Sequence, residues 1–140
     1  MIFKNYSESA SLLAQKIAEL MGDTKIPSQV TLSKYSLTFI NFESENFAKK
    51  VAENLGTNLI ESIQPQNLVI IDDGSTVAVE YSEFINEIRK NHPTTRIILA
   101  IPIIPESEKE ILLENCDTLL YLHSDPYFFS LDQFYEEPSF

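Results

Sequence analysis

The chain contains only three glycines, Gly22, Gly56 and Gly74, among its 140 residues. The Rossmann fingerprint and the Walker loop both need clustered glycines, because their backbones approach phosphate closely. Glycines so widely separated exclude both of these nucleotide-binding motifs.

Cysteine and histidine are also scarce. The single cysteine, Cys116, excludes an intrachain disulfide, and nothing marks an oxidising compartment. The two histidines, His92 and His123, are far apart, which argues against a Cys/His zinc site. We interpret Cys116 as a core thiol and His92 as a solvated turn residue. His123 follows the last strand candidate, and we favour a hydrogen-bonded structural role for it over that of a general base.

Basic residues are few. Ten Lys and Arg residues stand against 21 Asp and Glu residues, which gives a net charge of −11, and no basic residue follows Lys109. Such a charge repels phosphate backbones and anionic lipid, so we expect no nucleic-acid or membrane-surface partner. The N-terminus has no apolar run of signal-peptide length, and no stretch approaches the roughly 18 to 20 apolar residues of a membrane span. We therefore predict a soluble cytoplasmic protein.

The remaining composition is that of one folded domain, with 44% hydrophobic and 22% charged residues. Apolar spacing predicts strands that alternate with helices, which indicates an α/β fold: a mostly parallel sheet of four or five strands with helices on both faces. The predicted helices cover 7–21, 43–55, 75–90 and 106–116, and the predicted strands cover 37–40, 68–71, 96–101 and 118–122. Pro102 is expected to end the third strand.

The segment Thr57–Glu61 is a fifth strand candidate that fits less easily. Only Ser62 to Asn67 separate it from the strand that begins at Leu68. A parallel crossover usually needs about a dozen residues or more. The segment is therefore either not a parallel strand or an edge piece with an unusual return.

The segment Asp72–Thr76 is the place where we expect chemistry. It follows the most convincing buried strand, and ligands of parallel sheets bind beyond the carboxyl ends of the strands. Asp72 and Asp73 are suited to coordinate Mg²⁺ or to accept hydrogen bonds from sugar hydroxyls, but Asp-Asp-Gly is also a common solvated turn. Ser75 and Thr76 are suited to bind a phosphate at a helix N-terminus, whereas a plain N-cap is the simpler interpretation.

The C-terminal segment from Tyr127 to Tyr135 is rich in aromatic residues. It carries more apolar surface than a short tail buries by itself. We predict that this segment packs on the edge of the sheet and helps to form a homodimer.

The segment Leu68–Gly74 resembles the phosphoribosyl-pyrophosphate motif of type I phosphoribosyltransferases, an apolar strand followed by two acidic residues. The branch it resembles is that of predicted phosphoribosyltransferases of unassigned substrate. Residues 96–105 resemble the branch's next strand with its A-x-P-x-x-P pattern, residues 125–137 its Q-F-Y-E-D ending, and residues 11–16 its opening helix. The resemblance implies that Asp72 and Asp73 contact ribose hydroxyls and Mg²⁺, with Gly74, Ser75 and Thr76 beside them.

The family's two phosphate-binding loops are replaced in this sequence. The T-G-x-T phosphate loop falls on Val77–Glu80, where a carboxylate next to a phosphate would cost about 4 kcal/mol at an effective dielectric of about 20. The P-R-G-G pyrophosphate loop falls on Asn41–Ser44, and the hood before the motif strand is absent. The hypothesis is therefore a degenerate, non-catalytic phosphoribosyltransferase-like protein that acts as a binding or interaction module. The alternatives are an active enzyme with a remodelled phosphate loop and non-catalytic metal or sugar binding at Asp72 and Asp73.

Overall fold

The computed structural model describes residues 2–20, 36–59 and 67–137. Within these residues, four strands form one sheet in the order β1-β2-β3-β4, and every pair of neighbours is parallel. This confirms the predicted α/β domain with a parallel sheet. The strands are β1 (Ser36–Phe39), β2 (Asn67–Ile71), β3 (Arg96–Pro105) and β4 (Thr118–Asp125).

Helices cover both faces of the sheet. The described α-helices are α1 (Tyr6–Leu20), α2 (Glu45–Asn54), α3 (Ala78–Asn91) and α4 (Lys109–Asn115), with short 3₁₀ turns at 42–44, 106–108 and 131–134. Helices α1 and α2 pack in one core with Val69 and Ile71 of β2, whereas α3 and α4 pack in another with Leu68 and Ile70. Strand β2 is thus buried on both faces, as its unbroken apolar run predicts.

Strand β3 continues through Pro102, so the prediction that this proline ends the strand was wrong. The Ala100 carbonyl accepts a hydrogen bond from the Asp72 amide on the β2 side. Pro102 itself has no partner in the register of β3 with β4, which passes from Ile101↔Tyr121 to Ile103↔His123, and Ile101 and Ile103 lie in the cores on opposite faces of the sheet, so the regular alternation is interrupted at the proline. The missing N–H therefore removes no bond of the sheet.

The helix starts also differ from the prediction. Helix α3 begins at Ala78 rather than Ser75, and its N-cap is Val77, whose side chain makes no capping bond. At the start of α1, the Asn5 side chain rather than Ser7 accepts from the Glu8 amide, at 3.0 Å. The predicted end of the second helix at about residue 55 is confirmed, because α2 has Leu55 as its C-cap, the φ of Gly56 is +71°, and the Thr57 amide donates back to the Ala52 carbonyl.

Two predictions fall partly outside the described residues. Thr57–Leu59 has no strand structure, and the rest of that candidate strand, Ile60 and Glu61, lies outside the described residues. Met21 and Gly22, at the predicted end of the first helix, also lie outside them.

Aromatic residues of the C-terminal segment pack into the core on one face of the sheet, whereas the prediction placed this segment on the edge of the sheet. Phe134 and Tyr135 are buried in the core with α1 and α2, and Phe128 packs against that core. The Phe134 carbonyl accepts from the amides of Ile2 and Phe3, so the two ends of the described chain pair with each other. Tyr127 and Phe129 remain exposed.

Candidate functional site

Asp72, the first residue after β2, is completely buried. Its carboxylate accepts hydrogen bonds from the Gly74 amide at 2.9 Å, the Thr76 hydroxyl at 2.7 Å and the Tyr81 hydroxyl at 2.5 Å. The Thr76 amide approaches it at 3.4 Å. Burial raises the pKa of Asp72 above its ordinary value, and the neighbouring charge of Asp73 adds to this, although the hydrogen bonds oppose both.

Asp73 is also nearly buried, with 4% of its surface exposed. Its carboxylate accepts from the Tyr6 hydroxyl at 2.8 Å and from the Ser75 amide and hydroxyl at 2.9 and 2.6 Å. Burial and the charge of Asp73 raise the pKa of Tyr6 far above its ordinary value. Tyr6 therefore stays protonated and acts as a hydrogen-bond donor at neutral pH.

The two carboxylates contact opposite faces of the sheet. Asp72 meets Tyr81 on the α3 side, whereas Asp73 meets Tyr6 on the α1 side, as expected for consecutive residues in extended backbone. Neither is exposed, so the alternative interpretation of Asp-Asp-Gly as a solvated turn was wrong. Each carboxylate accepts from a backbone amide, Asp72 from that of Gly74 and Asp73 from that of Ser75, and both amides belong to the turn that precedes α3.

This arrangement does not suit a Mg²⁺ ion shared by the pair. Protein donors already approach both oxygens of each carboxylate, so a cation would have to displace them. Across the described parts of the chain, no group of three or more His, Cys, Asp or Glu side chains has the arrangement of a metal site. The carboxylates instead organise the loop that follows β2.

The amides of this loop are occupied by the protein's own carboxylates. Asp72 takes the Gly74 amide and Asp73 takes the Ser75 amide. At the start of α3, the Ala78 amide donates to the Glu108 carboxylate at 2.9 Å. Glu108 comes from the 3₁₀ turn after β3, and it takes the favourable position of an anion at a helix N-terminus. The loop therefore presents carboxylates where a phosphate-binding loop presents free N–H groups.

Gly74 allows the loop to pack tightly. Its φ is +104°, and a Cβ atom there would lie 2.9 Å from the Ile103 carbonyl oxygen and 3.1 Å from the Leu131 side chain. Only glycine combines this backbone conformation with so close a contact. The role of Gly74 is therefore to dock the loop between β3 and the C-terminal segment.

The segment Asn41–Ser44, between β1 and α2, contacts the same loop. The Asn41 side chain accepts from the Ser44 amide and donates to the Thr76 hydroxyl at 2.9 Å. Thr76 in turn donates to Asp72. A continuous chain of hydrogen bonds thus connects the β1–α2 turn to the buried carboxylate, and Thr76 serves in this chain rather than as an N-cap.

Sequence reasoning missed four contributors to this site: Tyr6, Asn41, Tyr81 and Glu108. Tyr81 was the one with a signal, because it lies on the inward face of a predicted helix and a buried tyrosine hydroxyl needs a partner. Nothing in the local pattern of Tyr6 or Glu108 indicates the site. Their contacts depend on how α1 and the β3–α4 turn pack.

A cleft of about 840 Å³ opens beside Asp73. Its floor includes Asp73, Gly74 and Ser75, one wall is the first part of α2 with Lys49 and Lys50, and the other wall is the segment 128–131. The rings of Phe42 and Phe129, each 85% exposed, belong to its lining. Asp72 is not part of the lining, so the cleft brings together only part of the predicted site.

The remaining candidate residues have structural environments. His123 contacts the Asp125 carboxylate at 3.0 Å and its ring lies 5.9 Å from that of Phe134, in agreement with the structural interpretation. Cys116 is buried, its thiol donates to the Leu112 carbonyl, and burial raises its pKa to about 11. His92 ends α3 and is half-buried. In the described residues, no helix is long and apolar enough to cross a membrane.

Comparison with known proteins supports the fold. The structure is similar to the crystal structure of orotate phosphoribosyltransferase from Aeropyrum pernix, with a TM-score of 0.54 and 13% sequence identity. The match covers 82% of this chain and 68% of that one. No family model matches the sequence, and no curated protein matches it. The chain therefore has a phosphoribosyltransferase-like α/β fold, and at this identity the likeness extends to the fold alone.

Proposed function

We propose that this protein is a non-catalytic member of the phosphoribosyltransferase-like fold that acts as a binding or interaction module. The observation that carries the proposal is the occupation of the loop amides of Gly74, Ser75 and Ala78 by internal carboxylates. A phosphate would have to displace these carboxylates or lie beside them, and like charges at a few ångströms repel strongly. Glu80, in place of the last residue of the family's phosphate loop, adds a further negative charge.

The cleft beside Asp73 is the binding site that this proposal implies. Its volume lies within the range of about 300 to 1,000 Å³ that is common for small-molecule sites. The exposed Phe42 and Phe129 rings provide apolar contact at its rim, and Ser75 and Asp73 provide polar groups at its floor. Such a lining, which also carries the charged side chains of Lys49 and Lys50, suits a small molecule with both an apolar and a polar part.

The test is calorimetry with phosphoribosyl pyrophosphate in the presence of Mg²⁺. We expect no binding tighter than about 1 mM, which corresponds to roughly −4 kcal/mol. An active phosphoribosyltransferase under the same conditions is the positive control. A micromolar dissociation constant, or pyrophosphate release that the Asp73→Asn substitution abolishes, would overturn the proposal and favour the active-enzyme alternative.

A second candidate is binding of a sugar or a metal ion at Asp73 without catalysis. The observation in its favour is that Asp73 and Ser75 line the cleft while Asp72 is enclosed. Titration with ribose and, separately, with Mg²⁺ tests this candidate. Saturable binding that is lost in Asp73→Asn but kept in Glu53→Gln, another carboxylate of the lining, supports it; no heat from either titration rejects it.

A further inference from the structure

Among the described strands, β4 lies at one edge of the sheet. It pairs with β3 on one side, and no described strand pairs with its other side. All eight of its residues, Thr118–Asp125, are half-buried. No backbone hydrogen bond joins them to any described residue outside the β3–β4 ladder. Within residues 2–20, 36–59 and 67–137, the outward N–H and C=O groups of β4 thus have no backbone partner.

This edge lacks the features that usually prevent strands from pairing. Proteins protect exposed edges with Lys, Pro, bulges or very short strands, but β4 is long, has no Lys, Arg or Pro, and carries its one carboxylate, Asp125, at its end. Its central residues, Leu119 to Leu122, are four consecutive large apolar side chains that are only half-buried. Such an edge is typical of an interaction surface.

The apolar layers on both faces of the sheet reach this edge. Leu120 and Leu122 pack partly against the core beneath α1 and α2, whereas Leu119 and Tyr121 pack partly against the core beneath α3 and α4. An added strand whose apolar side chains point alternately to the two faces would extend the apolar core on both faces of the sheet. A helix or loop would cover only one face and would leave the backbone groups of β4 unpaired.

The charges at the ends of β4 favour a second copy in antiparallel orientation. At the first end, the Arg96 guanidinium donates to the Thr118 hydroxyl at 3.1 Å, and no carboxylate of the described residues forms an ion pair with it. At the other end stands Asp125, whose carboxylate contacts the His123 ring at 3.0 Å and accepts from the Tyr127 amide at 2.8 Å, but which has no Lys or Arg partner among the described residues. Antiparallel pairing of two copies of β4 brings Asp125 of each copy toward Arg96 of the other.

We propose that β4 is a self-association surface, through which two copies of this chain pair their β4 strands antiparallel and form one continuous sheet. The pairing is two-fold symmetric, so each Arg96–Asp125 contact occurs twice. The net charge of −11 opposes unspecific aggregation. Self-association therefore depends on this local surface, and it does not depend on whether the cleft binds a ligand or catalyses a reaction.

The first test is hydrogen–deuterium exchange of the full chain at low and high protein concentration, with light scattering to give the mass. We expect a dimer whose formation slows exchange within residues 118–125. A monomer at all concentrations overturns the proposal. A dimer whose added protection lies in residues 127–135 instead of β4 also overturns it, and would place the interface on the aromatic C-terminal segment.

The second test uses charge exchange between Arg96 and Asp125. Arg96→Glu places like charges at both ends of the paired strands, so we expect about a tenfold weaker dimer, because cross-strand like charges are unfavourable and occur twice here. The double variant Arg96→Glu/Asp125→Arg should restore association. Lys90→Glu, which makes the same charge change on the far end of α3, is the matched control. Equal weakening by Lys90→Glu, or no recovery in a folded double variant, rejects the antiparallel arrangement.

Discussion

The Tyr81 hydroxyl donates a hydrogen bond to the buried Asp72 carboxylate at 2.5 Å, although the two residues belong to different elements. Asp72 follows β2, and Tyr81 lies in the first turn of α3. The contact holds the helix against the end of the strand, and it supplies one of the donors that make a buried carboxylate tolerable. The same hydrogen bond therefore both positions the start of α3 and stabilises the buried charge of Asp72.

Removal of this donor should destabilise the protein. In Tyr81→Phe, the ring keeps its packing, but Asp72 loses a charge-assisted hydrogen bond in a buried setting, so we expect a loss of about 1 to 3 kcal/mol in the free energy of unfolding. Urea denaturation measures this loss. Tyr127→Phe, at an exposed tyrosine, is the control and should change the stability by less than about 0.5 kcal/mol. Equal stability of Tyr81→Phe and the wild type would mean that the contact contributes nothing.

The acidic pair is predicted to have a structural role. Replacement of both Asp72 and Asp73 by Asn should lower the free energy of unfolding by about 0.5 to 2 kcal/mol, the scale of a lost cap. Of the single variants, Asp72→Asn should cost more, because Asp72 is fully enclosed and an amide nitrogen cannot accept from Tyr81 or Gly74. Thermal melting of the three variants checks this order. Unchanged melting together with lost Mg²⁺ or sugar binding would instead assign the pair a ligand-binding role.

Sequence predicted the elements better than the contacts of the site. The strand 68–71 and the acidic pair after it were evident, because an unbroken apolar run followed by turn residues has few other solutions. The continuation of β3 through Pro102 was not evident, because it depends on pairing with β4 that resumes at Ile103, after the proline. The partners of the acidic pair, Tyr6 and Glu108, depend on the packing of distant segments, which local periodicity does not encode.

We expect that only glycine is tolerated at position 74, because the backbone has a positive φ there and the neighbouring atoms leave no room for a Cβ atom. Gly74→Ala puts a side chain at φ +104° and a Cβ atom 2.9 Å from the Ile103 carbonyl oxygen. We expect it to cost clearly more than the roughly 1 kcal/mol of ordinary left-handed strain. Gly56→Ala, at φ +71° on the end of α2, is the matched control for the strain alone. Equal losses in the two variants would show that the loop shifts to accept the methyl group.

The Glu108 carboxylate should limit anion binding at the start of α3. In Glu108→Ala, the Ala78 amide loses its acceptor, so we expect a loss of about 0.5 to 2 kcal/mol in the free energy of unfolding, as for other lost caps. Added sulfate should recover part of this loss by binding to the vacated helix end. Glu106→Ala, in the same 3₁₀ turn, is the control. A sulfate effect of the same size in both variants would show that it arises from general salt stabilisation.

The raised pKa of Asp72 should make stability depend on pH in a particular direction. Because the folded state raises this pKa, the protonated carboxyl binds its proton more tightly in the folded chain than in the unfolded one. Protonation of Asp72 therefore adds to the free energy of unfolding, and this addition is fully present below the ordinary Asp pKa of about 3.9. The contribution is lost as pH rises through the raised pKa of the folded state. Relative to Asp72→Asn, which does not titrate, the wild type should therefore lose stability as pH rises from about 4 toward neutrality. Urea unfolding of both proteins across this range measures the difference, with Asp132→Asn, at an exposed aspartate, as the control. A difference that grows with pH in favour of the wild type would mean that hydrogen bonds outweigh burial at Asp72.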